Sequence, residues 1–420
     1  MTKAAIVGID LGTSGVRAAA IDNDGRALGL GAHRFSAPQE ASDPVQWRQG
    51  VEHSLAQLGE NVDLSAVRGV AVDGTSGTVL ALDKAGAPIE AAAMYNAQVS
   101  SPDILASIAH HAPPSSPARG GSSPLGKAID LYRRLAPAHI VHQADWVAMQ
   151  LGDGIAYSDE NNALKTGYDL DSRTWPAWIE RAGLPVHLLA DVRAAGSPVA
   201  AIGAWGRSLG LPMDCRVHVG TTDGCASFLA TGAAEIGDGV TALGSSLVIK
   251  LLSAKRIEAP EFGIYSHRVN SMWLAGGASN TGGAVIKALL PDADFDALSA
   301  RIDPEKPSGL SYYPLAKPGE RFPVSDPDFA PRLSPRPDDD ALYFQAILEG
   351  IADIEARGYD MLEALGGPAL KSIRTVGGGA ANEAWERIRA KRLGVPFLPA
   401  LSLEAAVGVA RLALRNVQHG

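Results

Sequence analysis

Twice in this chain an apolar run rich in β-branched residues stops at a glycine-bracketed turn carrying hydroxyls and then resumes as a second apolar run. Ala4 to Val7 leads into Gly8-Ile-Asp10-Leu-Gly12-Thr13-Ser14-Gly15 and on to Val16 to Ile21; much later, Gly239 onward leads into Leu243-Gly244-Ser245-Ser246 and on to Leu247 to Leu252. Each reads as two strands joined by a tight glycine turn. Their likeness hints at two related α/β halves, with a boundary near residues 230 to 236. Arg68 to Val72 and Thr78 to Leu82 repeat the pattern around Asp73-Gly-Thr-Ser-Gly77, which predicts another hairpin. Between them, Val45 to Gly59 places Trp47, Val51, Leu55 and Leu58 on one helical face.

Strands and helices continue to interleave. Cys215 to Gly220 predicts a buried strand, followed by Thr221-Thr222-Asp223-Gly224 and a helix starting at Ala226. A long amphipathic helix is expected from about Asp338 to Leu365. Ile373 to Val376 reads as a strand entering Gly377-Gly378-Gly379-Ala-Ala-Asn382, with a helix through Trp385 to Leu393, a last strand at Val395 to Leu398 and a closing Ala-rich helix from Leu403 to Val417. The Ser/Pro/Gly-rich stretch Ala112 to Gly126 and the Pro-rich Pro314 to Pro337 are connections. The pattern predicts a layered α/β protein.

Composition narrows the function classes. With 420 residues, the length prior of roughly 150 residues per domain gives two to three domains. Hydrophobic residues at 46% and charged residues at 20% exclude wholesale disorder and coiled coil. A net charge of -9 argues against holding nucleic acid or anionic lipid by bulk electrostatics. Cys215 and Cys225 are too few for a disulfide framework, and their spacing is no zinc pattern. Asp10 would sit inside the apolar core of a signal peptide, so no export is expected, and the uncharged stretch Val269 to Ile286 is too rich in Gly, Asn, Ser and Thr to span a bilayer. A cytoplasmic protein with no membrane partner is the expectation.

Four motifs could carry chemistry. At Gly8 to Gly15 an acid ends a strand beside a turn whose backbone N–H groups and hydroxyls share one space; this can nest phosphate oxygens or hold a metal-borne water, and equally suits an ordinary hairpin whose Asp caps the turn. It is neither a Walker loop nor a dinucleotide fingerprint. Gly220-Thr221-Thr222-Asp223-Gly224 sets a carboxylate at a strand-to-helix junction, where it could take a proton from a sugar hydroxyl or simply cap the helix. Gly377-Gly378-Gly379 before Asn382 lets a flat ring or ribose lie on backbone at a helix N-terminus, or is a tight connection. Gly276-Gly277 and Gly282-Gly283 are similarly ambiguous.

The order of these pieces resembles the FGGY-type carbohydrate kinases, over residues 4 to 415. Within them, Val72-Asp-Gly-Thr-Ser-Gly-Thr-Val79, Gln143-Ala-Asp-Trp146, Asn162-Ala-Leu-Lys165-x-Gly167, Ile264-Tyr-Ser-His267 and Gly319-Glu-Arg-Phe-Pro323 are most similar to the short D-ribulose kinases, which are xylulokinase-like. The resemblance implies a two-domain ribonuclease H-like (actin-like ATPase) fold with a nucleotide and sugar cleft between domains: residues 1–230 bind sugar, completed by the helix 404–420, and 231–403 bind nucleotide. It implies ATP and Mg2+ as cofactors and a small sugar as substrate, with the protein a monomer or homodimer. Asp223 matches the general base and Asp10 the acid positioned by Mg2+ through water. Gly12, Thr13 and Ser14 would hold the transferring phosphoryl group, and Gly244 and Ser245 the nucleotide phosphates. Gly377, Gly378 and Asn382 fall at the adenosine, with Trp385 nearby, and Ser76, with Asp10 and Asp223, at the sugar.

Departures bear on the substrate. Xylulokinases commonly carry Gln-Met-His-Gly and Trp-Asn-Asp where this chain has Thr75-Ser76-Gly77-Thr78 and Tyr95-Asn96-Ala97, and Ala97 supplies no carboxylate. Changed polar contacts change the epimer a polyol site accepts. The expected reaction is therefore phosphorylation of D-ribulose to D-ribulose 5-phosphate. D-xylulose or another pentulose or polyol is the alternative, and a sugar-free ATPase switch like actin or Hsp70 is the alternative of another class. Leu125-Gly126-Lys127-Ala128, where relatives tend to have Leu-Ala-Lys-Leu, departs in loop geometry.

Overall fold

A computed structural model describes residues 3–152 and 154–418, in two compact units. The first comprises the chain up to Ala230, Arg268–Asn270 and the chain from Ser402; the second comprises Thr231–His267 and Ser271–Leu401.

The first unit is built on a six-stranded sheet. Its spatial order is Ala27–Arg34, Gly15–Ile21, Ile6–Leu11, Gly69–Gly74, Arg216–Thr222 and Pro198–Ala201. The first three form an antiparallel meander, Gly69–Gly74 and Arg216–Thr222 run parallel to Ile6–Leu11, and the last strand is antiparallel again. Parallel neighbours need crossover connections. Pro44–Gly59 supplies one, capped by the Asp43 carboxylate accepting from Val45 N–H, and it buries Trp47, Val51, Leu55 and Leu58 as the spacing predicts. The sheet is covered on both faces. Val7, Ile9 and Leu11 pack with Trp47 and Val51, whereas Ile6, Ala19 and Ala71 pack under Ala405–Gln418 and Asp223–Ala230.

The second unit carries a five-stranded sheet in the order Tyr265–Val269, Met272–Ser279, Leu247–Ser253, Asp238–Leu243 and Ser372–Val376. The helix Asp340–Ala364 buries Phe344, Ile347, Ile351 and Leu362 in its core, and begins at the Asp339 cap. Inside that core, Arg389 forks onto the Glu355 carboxylate at 2.6 and 2.7 Å, and Glu355 also accepts from Thr241 at 2.5 Å. A buried charge pair holds only when its remaining lone pairs are bonded, and here they are.

Four expectations change. Val79–Leu82 is not the hairpin partner of Gly69–Gly74: it leaves the main sheet and pairs with His139–His142, because the intervening Thr75 turns back onto Gln143. Val395–Leu398 forms only a single bridge, Ile373 to Phe397, with Pro396 unable to donate to a longer ladder. The helix after Gly220 starts at Asp223 itself, three residues early, with Thr222 Oγ1 accepting from Cys225 N–H at 3.4 Å, so Asp223 is not the N-cap. The loop expected to run to Gly126 ends sooner, since Ser123 caps a helix Pro124–Leu135.

Candidate active site

Alternation along the strand decides which residues reach the first unit's pocket. Side chains of a strand point to opposite faces in turn, so Asp10 shares the face of Ile6, the one covered by the helix Ala405–Gln418. Register carries Arg17 and Asp73, the partners of Asp10 on the two flanking strands, to that same face. Asp10 lies at the strand end, where the terminal helix begins and its cover stops.

An open pocket of about 470 Å³ forms there, lined among others by Asp10, Thr13, Ser14, Thr75, Tyr95 and Asp223. The turn that offers Thr13 and Ser14 is closed by Gly12 N–H donating to the Gly15 carbonyl at 3.0 Å, which leaves both hydroxyls exposed. Gly15 is obligatory: its φ is +147°, and a Cβ would stand 2.0 Å from the His33 carbonyl oxygen. Asp223 projects from the first turn of its helix and accepts from Gly224 N–H at 2.7 Å.

Charge in this pocket is densely placed. Arg17 reaches Asp10 at 3.6 Å and Glu404 at 3.4 Å, bridging the two carboxylates. Burial pushes the Asp10 carboxyl up to about 6, the negative charges of Asp223 and Glu404 add to it, and Arg17 opposes. Asp73 is fully buried, and burial together with Asp10 and Asp223 raises it well above the carboxylate range. Neither Asp73 carboxyl oxygen has a hydrogen-bond partner among the described residues.

Asp10, Gly12, Thr13, Ser14 and Asp223 are thus brought to one wall. Ser76 is not on that wall: its Oγ is buried without a partner among the described residues, and Thr75 takes the place beside the pocket. Asp73, Arg17, Thr75, Tyr95 and Glu404 carry no role in the sequence reading. Asp73 alone left a signal, because Val72-Asp73-Gly74-Thr75-Ser76-Gly77 echoes Ile9-Asp10-Leu11-Gly12-Thr13-Ser14-Gly15.

In the second unit an apolar pocket of about 220 Å³ is lined by Leu243, Phe295, Phe344, Gly378, Asn382 and Trp385, among others. Next to it, a polar pocket of about 340 Å³ is lined by Asp296, Ser299, Asn382, Glu383 and Arg387. Gly377 has a φ of +86°, and Gly378 has nothing within 4 Å of where a Cβ would sit. Asn382 caps the following helix through Trp385 N–H at 2.9 Å and donates to Ser299 Oγ at 2.8 Å. Trp385 is buried, its indole N–H donating to the Leu348 carbonyl. Gly244 and Ser245 stay exposed on their turn, whose carbonyls accept from Gly283 N–H at 2.8 Å and Ala284 N–H at 3.1 Å. The first pocket suits a polyhydroxylated molecule with anions and a hard cation beside it; the second suits a flat apolar ring with a polar extension.

The architecture has close counterparts among solved structures. A xyloylose kinase from Brucella ovis superposes with a TM-score of 0.85 at 22% identity, covering 99% of this chain and 90% of that one. The xylulose kinase from Rhodospirillum rubrum gives 0.81 at 23% identity, with the same coverage. The fold is therefore that of the two-domain, actin-like carbohydrate kinases. In sequence, the xylulose kinase of Escherichia coli is 23% identical over 450 residues, 97% of this chain and 89% of that protein. Residues 239–417 match the C-terminal domain of the FGGY family of carbohydrate kinases. No described helix is long and apolar enough to cross a membrane.

Proposed function

We propose that this kinase transfers the γ-phosphoryl group of ATP to the terminal hydroxyl of D-ribulose, giving D-ribulose 5-phosphate. The observation that carries the reading is the single pocket wall on which Asp10, Asp223 and the exposed Thr13 and Ser14 hydroxyls stand together. Asp223, held on a rigid helix start and half-buried, is the general base that takes the proton of the attacking hydroxyl. Backbone N–H groups and hydroxyls of Gly12, Thr13 and Ser14 orient the phosphoryl group. The exposed turn at Gly244 and Ser245 holds the nucleotide phosphates. Adenosine lies on Gly377 and Gly378 beside Asn382, in the apolar pocket that Trp385 lines.

The residues present fit Mg2+. Among the described residues no three His, Cys, Asp or Glu side chains could cage a metal, whereas this ion keeps most of its waters and takes one or two carboxylates. Asp10, which lines the pocket, is such a donor. The ion, when bound, neutralises charge on the phosphates; Asp10 holds it through water. What this chain supplies is position and charge rather than covalent chemistry.

Two differences support the pentulose. Thr75 and Tyr95 line the pocket, and Ala97 brings no carboxylate to the Tyr95 segment. The names of the relatives favour D-xylulose as the second reading. The deciding experiment measures ADP release with Mg-ATP for D-ribulose, L-ribulose, D-xylulose, L-xylulose, ribitol and glycerol beside a control without sugar. Preference for D-ribulose is expected. Preference for D-xylulose would replace the substrate, and equal turnover without any sugar would support an ATPase switch instead.

A further inference from the structure

Tyr95 stands on the wall of the sugar pocket with 43% of its surface exposed, yet its backbone is tied at both ends. Its N–H donates to Thr78 Oγ1 at 3.0 Å. Thr75 gives its hydroxyl proton to Gln143 Oε1 at 2.8 Å, so in the 2.6 Å contact between the two threonines Thr78 is the donor. A single relay therefore runs from the Tyr95 amide through Thr78 to Thr75, itself a pocket residue, and ends on Gln143. At the other end, Lys127 Nζ donates to the carbonyls of Met94 at 2.8 Å and Tyr95 at 3.2 Å.

Lys127 is an unusual residue to find there. It is only 4% exposed, on the helix Pro124–Leu135, and among the described residues no carboxylate pairs with it. Burial, with Lys165 adding, pulls its ammonium down to about 8. Burying a lysine without a counter-ion is costly, and the two carbonyls are all it gains. The preceding residue explains how it arrives: a Cβ at Gly126 would fall 2.7 Å from Val99 Cγ2, so the helix can approach the 94–99 segment only because Gly126 has none. Val99 N–H is in turn fixed by the Gly121 carbonyl at 2.9 Å.

We infer that Lys127 is a positioning residue for the sugar pocket: by holding the Met94 and Tyr95 carbonyls against the Thr75–Thr78–Gln143 relay, it sets the Tyr95 ring as the wall that discriminates among sugars. The inference rests on the proposed sugar-kinase reading. Removing the ammonium frees one end of the Tyr95 peptide and leaves the catalytic carboxylates and the second unit's pockets untouched, so its effect falls on sugar recognition alone.

The test is a double-mutant cycle of Lys127→Met and Tyr95→Ala, read as KM for the preferred sugar, KM for ATP and the selectivity ratio between D-ribulose and D-xylulose. Lys127→Met should raise the sugar KM about tenfold, as loss of a charge-assisted hydrogen bond would, with the ATP KM unchanged and the selectivity ratio moved toward one. Tyr95→Ala should do the same, and the double variant no more than Tyr95→Ala alone. Additive losses, an ATP KM that moves with the sugar KM, or unchanged constants in Lys127→Met would overturn the assignment. If Lys127→Met does not accumulate as folded protein, Lys127→Gln, which keeps two N–H donors on a shorter stem, enters the same cycle. A wild-type protein with no sugar-dependent turnover refutes the sugar-kinase reading, and this inference with it; an active wild type with an inert Lys127→Met refutes this inference alone.

Discussion

Asp10 stands where burial works against its own charge, and its replacement by Asn should therefore stabilise the first unit while abolishing activity. Its carboxyl is raised from 3.8 to about 6. An acid whose folded pKa exceeds its unfolded value binds more protons when folded between those two pH values, so unfolding free energy falls as pH rises through that window and the full penalty is present above it. The displacement corresponds to about 3 kcal/mol at 1.36 kcal/mol per pKa unit. Asn is close to isosteric and removes the charge, and Arg17 keeps Glu404 at 3.4 Å, so no cation is stranded. At about pH 8, with chelator present so that no divalent ion binds, the Asp10→Asn protein should melt roughly 5–10 °C above wild type. Near pH 4.5 the difference should shrink to roughly a third, and below about pH 3.5 it should nearly vanish, because Asp10 is then protonated in the folded and unfolded states alike. Scanning calorimetry at these pH values measures this directly. A variant less stable than wild type at pH 8, or a difference that ignores pH, would refute the claim that desolvation dominates at Asp10.

Three further outcomes are expected. Asp223→Ala should lower sugar phosphorylation by about 10²–10⁴-fold, the usual contribution of a general base, while calorimetric titration still shows nucleotide binding; retained turnover would remove Asp223 from the chemistry. Gly378→Ala, which meets nothing within 4 Å, should leave the melting temperature within about 1 °C yet raise the KM for ATP if adenosine rests on that backbone; an unchanged KM would move the nucleotide elsewhere. Gly15→Ala, with its Cβ 2.0 Å from the His33 carbonyl oxygen at a φ of +147°, should cost at least about 2 kcal/mol in urea unfolding, and a neutral result would mean the turn is not rigid.

The α/β class was legible because period-two runs and the helical stripe of Trp47, Val51, Leu55 and Leu58 are local patterns. So were the acids at element ends: Asp10 and Asp223 stand out as polar residues at junctions bracketed by glycine. What escaped depends on pairing across distance. Nothing near Val79–Leu82 says that it pairs with His139–His142 rather than with its neighbour in sequence. Asp73 acquires its character only from parallel register with Asp10, and Tyr95 only from Thr78 and from a lysine on another helix. At Thr75-Ser76 motif likeness selects Ser76, whereas the turn onto Gln143 is what presents Thr75 to the pocket.

The helix Ala405–Gln418 covers the face of the strand Ile6–Leu11 that bears Asp10, with Ala406, Val409, Ala410 and Ala413 in the shared core. During synthesis that strand is made before its cover, with the whole of the second unit made in between. Residues 231–401 can therefore close on themselves while one face of the first sheet still waits on the ribosome, exposing Ile6, Ala19, Ile21 and Ala71 to whatever else is in solution. The order of synthesis along the chain and the order in which its two units can consolidate are thus inverted.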